Sequence, residues 1–337
     1  MSGRRGNFQD PVGLVRRMLA SGDPAARSAL SREALRYLLM PLDWVLGRWE
    51  QRRLARPQGP DLPIVLIVGS PRSGSTLLYQ VLAAHLPVSY PSNLTALFER
   101  SPITATMRLG RWARRSGGYR SYYGNTRSLG APNDAFSIWN RWLGEDRYSV
   151  PQQITPGIAG EMTSFFAAWG TAFPEPFLNK NNRNTAAIAL LAEQLPGARF
   201  IVARREPLFV AQSLIEARET VQGDRSIGWG LAAGEEASDD STADVAEQVA
   251  RIEELIETQL APVDSARVLE VAYGDLCYDP TGVVRQVGEW LALEPQRLED
   301  LKPFQSTDEA RLSPVEFERL QAEIRKRFQL PDDPTGQ

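Results

Sequence analysis

The chain has 337 residues, of which 42% are hydrophobic and 23% charged, and a formal net charge of −3. That length suits one large α/β domain with insertions or two small domains, and an acidic chain lacks the basic surface that non-specific nucleic-acid binding needs, so no nucleic-acid partner is expected. A lone cysteine, Cys277, and a lone histidine, His85, exclude an intramolecular disulfide and a Cys/His zinc site and suit a reducing cytoplasm. No signal peptide is expected, and no apolar run approaches the ~18 residues of a membrane span.

Residues 1–30 are polar and Arg-rich, and are expected to be mobile or loosely helical. Leu35, Leu38, Leu39, Leu42, Val45, Leu46 and Trp49 then recur at helical steps, with Pro41 expected to kink the helix. Two readings are open for residues 35–49: a helix packed across the domain, or one making peripheral membrane contact, since Trp and Leu oppose Arg. Pro57, Gly59 and Pro60 mark a linker, so residues 1–60 are read as an N-terminal helical extension and 61–337 as the main domain. Ile64 to Val68 is an unbroken apolar run between Pro63 and Gly69, which predicts a central parallel strand buried on both faces. A helix over 75–85 follows. A second short strand is expected near 177–178, a helix over 185–195, a strand over 199–203, and a helix over 208–217. Residues 221–242 read as a surface loop. Val245, Val249, Ile252, Ile256 and Leu260 mark a long amphipathic helix, followed by a strand over 266–271, a helix over 282–291 and a charged helix from Pro314. Strands alternating with helices predict an α/β fold, a central parallel sheet flanked by helices in three P-loop-like layers. The stretch of about 100–175 breaks the alternation and is expected to cover the site as a helical insertion.

The first strand ends in Gly69-Ser70-Pro71-Arg72-Ser73-Gly74-Ser75-Thr76, and a helix follows. A strand, a glycine-containing turn and a helix N-terminus make an anion cradle of backbone N–H groups. The spacing matches a nucleotide-triphosphatase loop except that Ser75 stands where that loop needs Lys. The strand Phe200–Ala203 ends in Arg204-Arg205 and offers no carboxylate for Mg2+. Arginines without a metal carboxylate suit an anion bound without metal, and no metal site is expected.

Pro71-Arg72-Ser73-Gly74-Ser75-Thr76-Leu77-Leu78 closely resembles the phosphosulfate loop of sulfotransferases that use 3′-phosphoadenosine 5′-phosphosulfate (PAPS). Arg199 to Pro207, followed by Ser213, resembles the strand and helix of that family that bind the 3′-phosphate. The resemblance implies that Arg72, Ser73, Gly74, Ser75 and Thr76 hold the 5′-phosphosulfate, and that Arg205 and Ser213 hold the 3′-phosphate. Leu178 to Arg183 resembles the segment whose lysine, here Lys180, approaches the transferred group. Tyr273-Gly274-Asp275-Leu276 and Asp279-Pro280 resemble paired motifs of a structural kind. The departures are Glu206 for Asp, Asn182 for Pro or His, and Gly274 for Glu. For the family's C-terminal basic loop the candidates are Lys302 and Arg311. PAPS would be the cosubstrate and adenosine 3′,5′-bisphosphate the product.

Sulfuryl transfer develops charge on the departing phosphate oxygen, which Arg72, Lys180 and the loop N–H groups can stabilise. A hydroxyl or amine acceptor also needs a base. His85, just before Leu86-Pro87, is read as structural. The carboxylates in covering segments are Asp134 and Glu99. Asp134 is preferred because Trp139 and Trp142 promise apolar surroundings that would make a carboxylate more basic; Glu99 is the second choice, and a third reading is that neither carboxylate is the base. The acceptor could be a small molecule, a carbohydrate or a lipid-linked compound. Two rival readings are a nucleotide kinase or triphosphatase with a degenerate loop, and a non-catalytic peripheral membrane or scaffold protein.

Overall fold

The computed structural model describes residues 10–55, 59–60, 62–113, 119, 121–122, 124–145, 150–234 and 237–329. The expected looseness of the N-terminus falls partly on residues 1–9, outside the described residues; from Pro11 the chain is helical. Helices α1 (Pro11–Ala20) and α2 (Pro24–Leu54) come first. Strand β1 (Ile64–Gly69), α3 (Ser75–His85) and α4 (Pro102–Leu109) follow. A hairpin of β2 (Ser121–Tyr122) and β3 (Asn125–Thr126) leads to α5 (Phe136–Leu143) and α6 (Pro156–Ala172). The second half runs β4 (Phe177–Lys180), α7 (Ile188–Gln194), β5 (Ala198–Arg204), α8 (Pro207–Gln222) and α9 (Ser241–Leu260). It closes with β6 (Val268–Ala272), α10 (Tyr273–Tyr278), α11 (Pro280–Leu291) and α12 (Pro314–Phe328).

The fold is α/β. Four strands form a parallel sheet in the order β4-β1-β5-β6, with helices on both faces. Successive side chains of β1 point to opposite faces. Ile64, Leu66 and Val68 join one core with Trp139, Phe165, Trp169 and Ile252 of α5, α6 and α9. Val65 and Ile67 join the other, with Leu78, Leu82 and Val284 of α3 and α11. A strand buried on both faces has no polar alternation, which is why its sequence is an unbroken apolar run.

Part of the stretch expected to cover the site also builds the core. Trp139 and Trp142 are 0% and 2% exposed, and their rings meet at 5.5 Å, close to perpendicular. Trp142 also packs edge to face on Phe165 of α6, 5.3 Å between centroids. The expected helix over 185–195 is shorter: a 3-10 turn from Asn182 to Ala187 precedes α7. The helix expected over 35–49 is 31 residues long and runs on through Pro41. Its inner face holds two buried acids. Asp43 accepts from the Ser101 hydroxyl at 2.6 Å and from the Arg100 N–H at 3.0 Å. Glu50 accepts from the N–H groups of Ile103 and Thr104 at 3.0 and 2.8 Å, and from the Thr104 hydroxyl at 2.6 Å. These bonds satisfy the otherwise unpaired first turn of α4. Arg17 of α1 donates to the carbonyls of Thr220 and Val221 at the end of α8. Among the described residues no helix is long and apolar enough to cross a membrane.

Candidate active site

The carboxyl ends of β1, β4 and β5 open onto a cavity of about 900 Å3. The chain passes from β1 to one neighbour and then to the other, and open α/β sheets collect ligands where the strand order reverses in this way. α2 supplies a wall through Leu30, Arg32 and Arg36. Burial pushes the Arg32 guanidinium down to about 10.

β1 leaves the sheet at Gly69, whose φ is +137°. A Cβ there would stand 2.6 Å from the carbonyl oxygen of Ala203, so the close pass requires glycine. The Thr185 hydroxyl accepts from the Gly69 N–H and donates to the Gly69 carbonyl, 3.0 Å in each case. Arg72 has φ +72° and Gly74 φ +86°, and α3 starts at Ser75. A non-glycine residue in the left-handed region costs about 1–3 kcal/mol, and such strain gathers at ligand sites. At Gly74 a Cβ would strike the Tyr273 ring at 2.4 Å. No side chain caps α3, so its first-turn N–H groups are left for a ligand or water; Gly74, Ser75 and Thr76 line the cavity there. The Ser73 hydroxyl is buried without a hydrogen-bond partner. An orphaned hydroxyl inside an uncapped, strained turn is what a cradle for several anionic oxygens would present.

The side chains around the loop form two groups. In the first, the Arg72 Nε donates to the Ser213 hydroxyl at 2.9 Å, and Arg205 donates to the Arg72 carbonyl at 2.8 Å. Arg205 also pairs with Asp308 at 2.7 Å and lies 4.4 Å above the Tyr273 ring. Arg72, Arg205 and Ser213, distant in sequence, are thus brought together. In the second group, the Lys180 ammonium at the end of β4 meets the Asp134 carboxylate at 3.0 Å. Lys180 is 3% exposed and the Asp134 side chain 16%. Asn181 holds the Asp134 carbonyl at 2.9 Å. The expected surroundings of Asp134 need correcting. Trp139 and Trp142 turn into the core, and the carboxylate faces a cation where an apolar wall was expected.

Glu99 lines the same cavity but is half exposed and pairs with Arg36 at 2.7 Å. His85 is buried, its ring held by the Gln296 carbonyl at 3.0 Å and the Tyr119 hydroxyl at 2.6 Å. Arg311 pairs with Glu216 at 2.8 Å, and Lys302 is exposed outside the cavity. The segment that meets Arg205 from the C-terminal side carries Thr307 and the acid Asp308, and Arg311 donates to the Thr307 carbonyl. Sequence reasoning missed Thr185 and Asp308. Nothing local marks either one, because each acts on a residue about a hundred positions away. Tyr273 was singled out as structural; it closes the loop from below and carries Arg205.

Residues 63–297 match the model of the sulfotransferase family, and the chain belongs to that family of transferases. No curated protein matches. Among solved structures, a sulfotransferase from Mycobacterium avium aligns at 15% identity over 81% of this chain and 70% of its own, with a TM-score of 0.48. A sulfotransferase from Mycobacterium tuberculosis H37Rv aligns at 15% identity over 90% and 83%, with a TM-score of 0.45. The sulfotransferase domain of the olefin synthase of Synechococcus PCC 7002 aligns at 19% identity over 83% and 91%, with a TM-score of 0.42.

Proposed function

We propose that the protein transfers a sulfuryl group from PAPS to a hydroxyl or amine of a small-molecule, carbohydrate or lipid-linked acceptor. One observation carries this reading: three cations, Arg72, Lys180 and Arg205, gather at the strand ends around a loop whose helix N-terminus is uncapped. The loop from Ser73 to Thr76 would take the phosphosulfate, with the Ser73 hydroxyl as one donor. Arg205 and Ser213 would take the 3′-phosphate, and the bond from Arg72 to Ser213 groups Arg72 with them. The acceptor oxygen or nitrogen attacks sulfur in line, and the bond from sulfur to the 5′-phosphate oxygen breaks. Adenosine 3′,5′-bisphosphate departs, and the acceptor proton passes to Asp134, or to Glu99 if Asp134 is not the base. Lys180 balances the charge growing on the leaving oxygen. No metal is required, because arginines stand where a triphosphatase holds its Mg2+ carboxylate. In the extension of residues 1–60, α1 and α2 add a cavity wall to the domain of 61–337. The setting is the cytoplasm, where the buried Cys277 stays reduced.

Titration calorimetry tests the reading. Adenosine 3′,5′-bisphosphate should bind in EDTA and more tightly than ATP with Mg2+. Preference for ATP, or a strict need for metal, would reject it. Radiolabelled PAPS with an acceptor panel, read by mass spectrometry, then identifies the acceptor.

A further inference from the structure

Helix α2 is apolar on its outer face as well as on its inner one. Two of its three acids, Asp43 and Glu50, are 6% and 0% exposed and are spent on the start of α4, while the third, Glu33, pairs with Arg36 before the stretch at issue begins. Leu35, Leu39 and Leu46 pack inward, but a second apolar set faces outward: Tyr37 is 59% exposed, Leu38 77%, Trp44 52%, Val45 48% and Trp49 41%. A surface helix normally turns its apolar stripe inward. This face therefore carries a contiguous apolar patch of the kind that marks an interaction site.

The charge on the same face has one sign. From residue 37 to 55 the exposed charges are all arginine, and residues 102–113 at α4 contain no acid. Arg48 stacks 4.5 Å over Trp44, Arg108 5.0 Å over Trp49, and Arg111 4.3 Å over the 62% exposed Trp112. Between α2, α4 and α6 lies a cleft of about 450 Å3 lined by Trp49, Arg52, Arg53, Arg108, Ala168 and Thr171. Among the described residues no carboxylate pairs with Arg52, Arg53 or Arg108. A chain with net charge −3 thus gathers, on an apolar exposed surface, arginines without a carboxylate partner among the described residues.

We propose that this face docks on an anionic phospholipid bilayer, with tryptophans seated at the headgroup level and the arginine cleft taking a lipid phosphate. Tryptophan and arginine together suit the interface, where an amphipathic ring sits between hydrocarbon and water and cations meet anionic headgroups. The stripe from Tyr37 to Arg52 is about 23 Å long, enough to lie along the interface. A second copy of the chain is a poorer occupant. A two-fold contact would set the same arginines against themselves. The docked helix also lines the cavity through Leu30, Arg32 and Arg36, so the site would sit beside the bilayer.

The proposal does not depend on sulfuryl transfer. The full chain is sedimented with vesicles of phosphatidylcholine alone and of phosphatidylcholine with phosphatidylglycerol. Binding to the anionic vesicles and little to the neutral ones is expected. Each arginine removed should weaken it about fivefold, so Arg52→Gln, Arg53→Gln and Arg108→Gln combined should cost about a hundredfold. Trp44→Ala with Trp49→Ala should also release the protein, while circular dichroism and bisphosphate affinity stay unchanged. Absence of vesicle binding by the unaltered chain would overturn the proposal. So would equal binding to both vesicles, or inorganic phosphate binding as tightly as the bilayer. A dimer in sedimentation velocity that Trp44→Ala dissolves would assign the face to a second copy instead.

Discussion

Arg205 has four kinds of partner within reach: the Arg72 carbonyl, Thr307, Asp308 and the Tyr273 ring. Its side chain is 4% exposed, so an anion that joined it would be largely desolvated. Arg205→Ala should therefore weaken adenosine 3′,5′-bisphosphate binding by about 2–5 kcal/mol in titration calorimetry. The sheet should survive, because Arg205 lies beyond the last residue of β5. Unchanged affinity would place the 3′-phosphate elsewhere. Asp134 poses a different question, because its carboxylate faces Lys180. Asp134→Asn keeps the shape and removes the basicity, so kcat with an alkyl alcohol should fall about 10²-fold while bisphosphate affinity holds. A phenol, which gives up its proton easily, should be much less affected. Glu99→Gln in parallel decides between the carboxylates: if only that variant slows, the base is Glu99.

At the scale of elements, the strands and the helix after the loop were the most legible. An apolar run with a glycine turn behind it has few folded outcomes, and β1, β5 and α3 lie where it points. The inner face of α2 was not legible. Asp43 and Glu50 look like solvated acids in a charged helix, and only the distant start of α4 makes them caps. Glu50→Gln should cost about 1.5–3 kcal/mol, because a buried carboxylate that accepts three bonds is replaced by a neutral group with one acceptor oxygen. Urea unfolding would show this as a lower midpoint at unchanged slope. Glu253 on α9 offers a pH test. Burial pushes its carboxyl up, against the pull of Arg204. A raised folded value means that the group favours folding at low pH. That contribution is lost as pH climbs above the ordinary 4.5 and through the folded value. Thermal melts of Glu253→Gln and the unaltered chain should show the variant gaining relative stability as pH rises. A relative loss would mean that Arg204 outweighs burial.

For the molecule as a whole, sequence patterns revealed the layers but not how distant segments meet. The aromatic stretch through α5 and α6 suggested a cover, and Tyr119, Tyr122 and Phe136 do line the cavity, but rings in such a segment read alike on a lid or in a core. The structure sends Trp139, Trp142 and Phe165 inward. The return of Thr307 and Asp308 to Arg205 spans over a hundred residues and follows no period. The Thr185 hydroxyl also has a consequence for motion. Lys180, the last residue of β4, pairs with Ile67, so Val68 and Gly69 have no strand on that side. One hydroxyl replaces the missing ladder at Gly69. Thr185→Val keeps the volume but leaves a buried N–H and carbonyl unpaired, at about 1–3 kcal/mol for each group. The anion loop should then open without the sheet. In hydrogen–deuterium exchange, amides from Ser70 to Thr76 would lose protection while those of β5 kept theirs, marking Thr185 as the latch between a labile cooperative unit and a durable one.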